Sequence, residues 1–242
     1  MIARMPPHRS RITCAVGLFH VVLAVARAAA ADGLPALLDA VAANAAFGSP
    51  ARADVRIECT AGCPKASGQA IFIGRGDALY VETKGGQRAL VRPGRVVVAG
   101  GTAKPGETLA DTDVALEDLA PFTRAALASP QISDDGPAGV VVTAAPAPGS
   151  AYALLVNTID RERSVIVRTL YYRDLINNLT KTRRDSGFTR VVGGWRPGEI
   201  TVESVRESTR THLVLAWHDA PDAAATLFEP AGLERPSGLR FP

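Results

Sequence analysis

Between Tyr152 and Trp217 the chain reads YALLVNTI (152–159), SVIVRTLYY (164–172), NNLTKTRR (177–184), FTRVV (188–192), ITVESVRE (200–207) and THLVLAW (211–217). Turn-forming residues separate these runs: Asp160-Arg161-Glu162, Arg173-Asp174, Asp185-Ser186-Gly187, Gly193 to Gly198 and Ser208-Thr209. Short β-rich runs punctuated in this way predict an antiparallel meander. Alternation puts Leu213, Leu215 and Trp217 on one face of the last strand, with His212, Val214, Ala216 and His218 on the other. Tyr152, Leu154 and Val156 form a matching apolar row in the first strand. Val165, Val167 and Tyr171 do so in the second. Asn157, Arg168, Glu203 and Glu207 are assigned to the opposite, wet face. A sheet with one apolar face must bury it against helices, a second sheet or a ligand.

The sequence upstream predicts a second meander. VRIECT, QAIFIG, ALYVETK, RALVR and RVVVAG are divided at Gly74-Arg75-Gly76-Asp77, Gly85-Gly86 and Pro93-Gly94. Leu34, Leu37, Leu38 and Val41 recur at helical spacing in Ala-rich sequence, which predicts a short amphipathic helix ending by Gly48-Ser49-Pro50. Thr102 to Thr112 is polar and reads as a loop. From Asp113 to Leu127, apolar residues at mixed three- and four-residue steps predict a helical patch, with Asp113 as its N-cap and Glu117 and Asp118 in its first turn. Helices are too few to cover all the strands, so the sheet is expected to curl around its apolar face. Either a cavity or a filled core then satisfies the pattern.

Composition limits the function classes. The 242 residues, 47% of them hydrophobic, suit one domain behind a short leader. Met1 to Arg11 holds three arginines and no acid, Ile12 to Ala26 is apolar, and Ala28 to Ala31 offers small residues for cleavage. This reads as a secretory signal peptide over residues 1–30, followed by a single domain over 31–242. The apolar run is shorter than a membrane span of ~20 residues. Removing the leader's four arginines takes the formal charge from +3 to −1. The basic precursor therefore gives no reason to expect nucleic acid as a partner.

In an exported chain, Cys59 and Cys63 across a Gly-containing turn read as a small-loop disulfide, with free thiols as the alternative. Their C-x-x-x-C spacing and the lack of a second Cys/His pair argue against a redox or metal site. No G-x-S-x-G, H-E-x-x-H or phosphate-cradling loop is present. His212 and His218 read as surface histidines, and Asp113, Glu117 and Asp118 as helix-start and solvated charges. Lys181 to Arg184 with Arg161 and Arg163 reads as an edge-strand basic rim. Trp195 reads as a turn-packing residue, and Trp217 as the end of an apolar row.

Several strings carry a resemblance in order along the chain. Asp113-x-x-Leu116-Glu117-Asp118-Leu119 is followed by Tyr171-Tyr172-Arg173-Asp174 and by Gly194-Trp195-Arg196-Pro197. Thr209-Arg210-Thr211 precedes an apolar strand, and Leu227-Phe228 precedes Leu233-Glu234-Arg235. Together they resemble the outer-membrane lipoprotein-sorting (LolA-like) family, best between Asp113 and Pro236. The resemblance implies a mainly β (α+β), LolA/LolB-like fold: a curved, incomplete antiparallel barrel lidded by a few helices. It also implies a periplasmic carrier that shields the acyl chains of a lipoprotein or lipid without catalysis or a cofactor. On that reading the trough is lined by Leu154, Val156, Val165, Val167, Tyr171, Leu213, Leu215 and Trp217. The expected partners are those acyl chains and, as a donor, an inner-membrane transporter; the carrier is expected to be a monomer. The alternative is a periplasmic sensor or an accessory interaction module of an envelope transporter, with a filled core.

Overall fold

A computed structural model describes residues 33–60, 67–174 and 177–241. Among the described residues a helix over 33–45 leads into fifteen strands, of which thirteen form one continuous antiparallel sheet. The first meander comprises β1 (Phe47–Thr60), β2 (Ser67–Gly76), β3 (Ala78–Thr83), β4 (Arg88–Arg92), β5 (Arg95–Val98) and β6 (Gly101–Thr102). The second begins with β7 (Leu127–Gly136), β8 (Gly139–Pro146), β9 (Leu154–Asp160), β10 (Val165–Tyr172) and β11 (Leu179–Ser186). A separate two-stranded hairpin, β12 (Thr189–Val191) and β13 (Gly194–Arg196), then leaves the sheet. The chain returns as β14 (Glu199–Ser204) and β15 (Thr209–Asp219).

The order across the sheet is β6-β5-β4-β3-β2-β1-β15-β14-β11-β10-β9-β8-β7. Each meander grows outward from the centre, where β1 and β15 pair from Ala51↔Asp219 to Thr60↔Arg210. The edges β6 and β7 do not pair, so the barrel is incomplete. These two edge strands are nevertheless consecutive in sequence. Their connection, residues 103–126, has to cross from one edge of the sheet to the other, and this crossing segment becomes a cover over the inner face.

The cover is pinned by apolar residues. Leu109, Val114, Leu116 and Leu119 pack with Ala51, Ala53, Val55 and Ile57 of β1, Phe72 of β2 and Leu213 and Leu215 of β15. The expected helix over Asp113 to Leu127 is replaced by two 3-10 turns, Leu116–Leu119 and Arg124–Ala126. Pro121 accounts for the break, since it lacks a donor and biases Ala120 to the extended φ −57°, ψ 133° seen here. The true helix, 33–45, lies over the other end of the inner face. Its Leu34, Leu38 and Val41 pack on Val140 and Val142 of β8 and Ile159 of β9. Each such buried side chain contributes about 1.5–3 kcal/mol.

The first meander is covered on both faces, which departs from a one-sided reading. All six residues of β3 are buried. Leu79 and Val81 face the main core, whereas Ala78 and Tyr80 pack with Ile71, Ile73 and Leu90 against Phe228 and Leu233 of the C-terminal segment. Glu82 fastens that segment by accepting hydrogen bonds from the Ser237 hydroxyl and from Tyr80 Oη, the latter at 3.0 Å. Cys59 is the penultimate residue of β1, with the Thr211 hydroxyl 3.8 Å from its sulfur. Cys63, and with it the expected Cys59–Cys63 bridge, lies outside the described residues, as does the leader.

Candidate functional site

Between the inner face of the sheet, the helix and the crossing segment lies a cavity of about 540 Å³. Its lining comes from both halves of the sheet: Phe72, Leu79 and Val96 on one side, Leu155, Asn157, Ile166 and Tyr171 on the other. The helix contributes Val41, Asn44 and Ala45, and the cover contributes Leu116, Leu119 and Phe122. One hollow touched by strands from both meanders requires the sheet to curve. The volume falls within the roughly 300–1,000 Å³ typical of small-molecule sites.

Of the eight side chains expected to line a trough, Val165, Tyr171, Leu215 and Trp217 border the cavity. Leu213 lies one step deeper along the same row of β15 and is fully buried in the core. Leu154, Val156 and Val167 do not border it. Register explains the difference. Asn157 pairs with Thr169 and Leu155 with Tyr171, so these four share the cavity face, while Leu154 and Val156 pair with Tyr172 and Leu170 on the other. Val167 falls in the irregularity between Ile166 and Arg168, where an extra residue shifts the alternation and Ile166 takes the inward position. Asn157 is therefore inside, contrary to its wet-face assignment, and its Oδ1 accepts a 2.8 Å hydrogen bond from the Thr169 hydroxyl.

The acids expected to be helix-start charges are instead ties between cover and sheet. Asp113 does not cap a helix; its carboxylate accepts hydrogen bonds from the hydroxyls of Thr209 and Thr211 on β15. Glu117 accepts from the Gly106 N–H at 2.9 Å, the Ser150 hydroxyl at 2.8 Å and the Ala151 N–H at 3.3 Å, joining two loops at the cavity wall. Asp118 is buried and pairs with Lys181 while accepting from Tyr152 Oη at 3.1 Å. Burial, and then the Asp118 charge, push the Tyr152 phenol far above its ordinary value.

Lys181 and Arg183 thus form no edge rim, because β11 is an interior strand between β10 and β14. Lys181 Nζ lies about equally over the rings of Tyr152 and Tyr171, at 5.0 and 5.1 Å. Arg183 makes a two-point pair with Asp185, both contacts at 2.7 Å. The guanidinium groups of Arg163 and Arg190 lie over the Trp195 ring, 5.6 and 5.4 Å from its centre. His212 lies near Glu58 and Glu199, at 3.7 and 3.6 Å. Among the described residues no group of three or more His, Cys, Asp or Glu side chains is placed to hold a metal.

Arg196 escaped the sequence reading. It is only 4% exposed and caps the helix, donating from Nη1 to the Asn44 carbonyl at 2.8 Å and from Nη2 to that of Ala46 at 2.6 Å. Its one visible signal is its place in the Trp-Arg-Pro string. Trp217 is held to the same region by a 2.9 Å hydrogen bond from Nε1 to the Pro197 carbonyl and meets Phe47 at 5.8 Å between ring centres.

An open antiparallel sheet, curled over an apolar hollow and closed by one helix and one crossing segment, defines a lidded half-barrel. The fold is similar to that of solved structures, one of them named as a LolA superfamily protein. Three of the matching structures illustrate the likeness. A DUF1329 family protein from Desulfovibrio piger superposes with TM-score 0.67 at 15% identity, over 82% of this chain and 98% of that one. A domain named for outer-membrane lipoprotein sorting from Vibrio parahaemolyticus gives 0.65 at 14% identity, over 82% and 98%. A LolA superfamily protein from Nitrosomonas europaea gives 0.63 at 15%, over 80% and 96%. At identities this low the likeness shows the fold alone. No protein-family model and no curated protein sequence matches the chain.

Proposed function

We propose that this chain is a periplasmic carrier that takes the acyl chain of a lipoprotein or lipid into the lidded cavity and shields it from water. The observation that carries the reading is the cavity of about 540 Å³ walled by Leu155, Ile166, Leu215, Trp217 and the apolar residues of the cover. Each methylene moved from water into such a wall contributes about 0.8 kcal/mol, so apolar burial suffices as the binding mechanism and no catalytic step is needed. The sensor or accessory-module alternative expects a filled core, and the open volume favours the carrier. The likeness to a lipoprotein-sorting domain supports the same reading.

Loading requires the cover to move. The cover is held by the packed Leu109, Val114, Leu116 and Leu119 as well as by the polar ties of Asp113, Glu117 and Asp118, so opening has to part that apolar contact together with the ties. An inner-membrane transporter is the kind of donor that such a carrier would serve as a monomer. The test is organic extraction and mass spectrometry of protein purified from its native compartment, alongside titration with a fluorescent fatty-acid probe. Co-purifying lipid and saturable probe binding are expected; absence of both overturns the proposal.

A further inference from the structure

Arg196 brings a buried positive charge to the wall of a cavity whose lining is mainly apolar but also includes Arg95, Lys104, Arg183 and four acids. Its guanidinium lies 4.1 Å over the Phe47 ring and faces the carbonyls that end the helix, at Asn44, Ala45 and Ala46. Gly194 makes room for this: a Cβ there would stand 2.6 Å from the Asn44 carbonyl oxygen and 2.9 Å from Nη2. A helix C-terminus offers only about half a negative charge. Among the described residues no carboxylate forms an ion pair with Arg196. Burial alone lowers its pKa to about 10.

The donors are also incompletely used. Nη1 is shared among carbonyls, Nη2 makes one bond for its two N–H groups, and Nε–H has no acceptor. Nε and Nη2 together form the side of the fork that binds a carboxylate or phosphate through two parallel hydrogen bonds. The acids that line the cavity are engaged elsewhere. Glu107 accepts from the Lys104 N–H at 3.1 Å, Glu117 from the loop at 149–151, Asp118 from Tyr152 and Lys181, and Asp185 from Arg183.

The geometry points to a charge-selective subsite: Arg196 receives the anionic head, carboxylate or phosphate, of a single-chain amphiphile whose tail fills the cavity. This rests on the carrier reading and adds the head-group class that reading leaves open. An oxygen anion that reaches the buried Nε–H and the second Nη2 hydrogen supplies both the missing acceptor and the counter-charge, so it relieves the desolvation of Arg196. A neutral head of equal chain length relieves neither.

The test is displacement of the fluorescent probe 1-N-phenylnaphthylamine from the intact protein at about pH 8, where carboxyl groups are ionised. The competitors are dodecanoate, dodecyl phosphate, methyl dodecanoate and inorganic phosphate alone. Both anionic amphiphiles are expected to displace the probe at about tenfold lower concentration than the ester, as one charged hydrogen-bonded contact implies. Inorganic phosphate is expected to leave the probe in place, which separates an amphiphile head from a free phosphate. Arg196→Met is expected to bring acid and ester together while the probe still binds; because Arg196 also caps the helix, circular dichroism accompanies it. The acid-to-ester ratio in the unaltered protein needs no variant. Equal displacement by acid and ester there, or displacement by inorganic phosphate alone, overturns the subsite and leaves the carrier reading standing. Failure of the probe and every amphiphile to bind overturns both.

Discussion

Lys181 Nζ donates to Asp118 Oδ2 across the seam between β11 and the crossing segment, with the lysine side chain 10% exposed and the carboxylate 1%. The Ala115 N–H also reaches this carboxylate, at 3.1 Å, so one acid both shapes the 3-10 turn and fastens it to the sheet. Breaking one side of a buried pair leaves an uncompensated charge and costs about 3–5 kcal/mol. Asp118→Ala is therefore expected to lower the urea midpoint strongly. The double variant Asp118→Leu with Lys181→Met should recover most of the loss, because neither charge remains to be solvated. A double variant no more stable than Asp118→Ala would show that the tie to Ala115 and Tyr152 matters more than the ion pair.

Alkaline pH should act through the tyrosines beside this pair. Burial and the Asp118 charge raise Tyr152 and Tyr171, and burial followed by the Glu82 charge raises Tyr80, all above the ordinary value near 10. A pKa raised on folding gives stability that is complete below the unfolded value and is lost as pH climbs from there towards the folded value. Stability should thus fall above about pH 10, where the unfolded chain releases phenolic protons that the folded chain keeps. Tyr152→Phe is expected to make this fall shallower, while costing about 1 kcal/mol at neutral pH from its lost hydrogen bond to Asp118. Urea midpoints between about pH 8 and 11 measure the slope, and phenolate absorbance measures the protons. An unchanged slope in Tyr152→Phe would assign the loss to other groups.

Gly74 permits the packing of Phe47 at the cavity wall. A Cβ at Gly74 would fall 2.2–2.3 Å from the Phe47 ring, which must then swing away from β2. The ring lines the cavity and neighbours Trp217, so the space available to it is the space proposed for cargo. Gly74→Ala is expected to cost about 1–3 kcal/mol in stability through overpacking and to weaken probe binding. The paired variant Gly74→Ala with Phe47→Leu should restore both. Unimpaired probe binding by Gly74→Ala would mean that Phe47 moves elsewhere.

Much of the fold was legible because single rules governed it. The stripe Leu34, Leu38 and Val41 is helical and packs as such, and the alternation Leu213, Leu215, Trp217 survives in β15 because that strand pairs regularly with β1. The inner row of β9 was misread for a physical reason: Leu154, Leu155 and Val156 are all apolar, so hydrophobicity does not mark the inward face. In β10 the irregularity before Arg168 breaks the period of two. The ties made by Asp113, Glu117 and Asp118 were hidden for a different reason. Their partners, on β15, the loop at 149–151 and β11, are distant in sequence, and local pattern carries no trace of them. Arg196 was hidden likewise, since its acceptors are helix carbonyls some 150 residues away.

The adjacent residues Leu155 and Val156 provide the sharpest test of the cavity as a binding site. They are neighbours in one strand, both are half-buried, and only Leu155 lines the cavity. Leu155 pairs with Tyr171 across β10 and borders the cavity, so an aspartate at 155 would place a carboxylate on the cavity wall. An unpaired charge there must be solvated at cargo's expense. Leu155→Asp is expected to weaken fatty-acid probe binding about tenfold or more, whereas Val156→Asp, directed to the opposite face, should leave it within about twofold. Similar stability losses in the two variants would separate this binding effect from general damage to the sheet. If both variants bind the probe equally well, the cavity is not where the probe resides. If Val156→Asp is the weaker binder, the acyl chain lies on the outer face of the sheet, against Leu154, Val156 and Leu170.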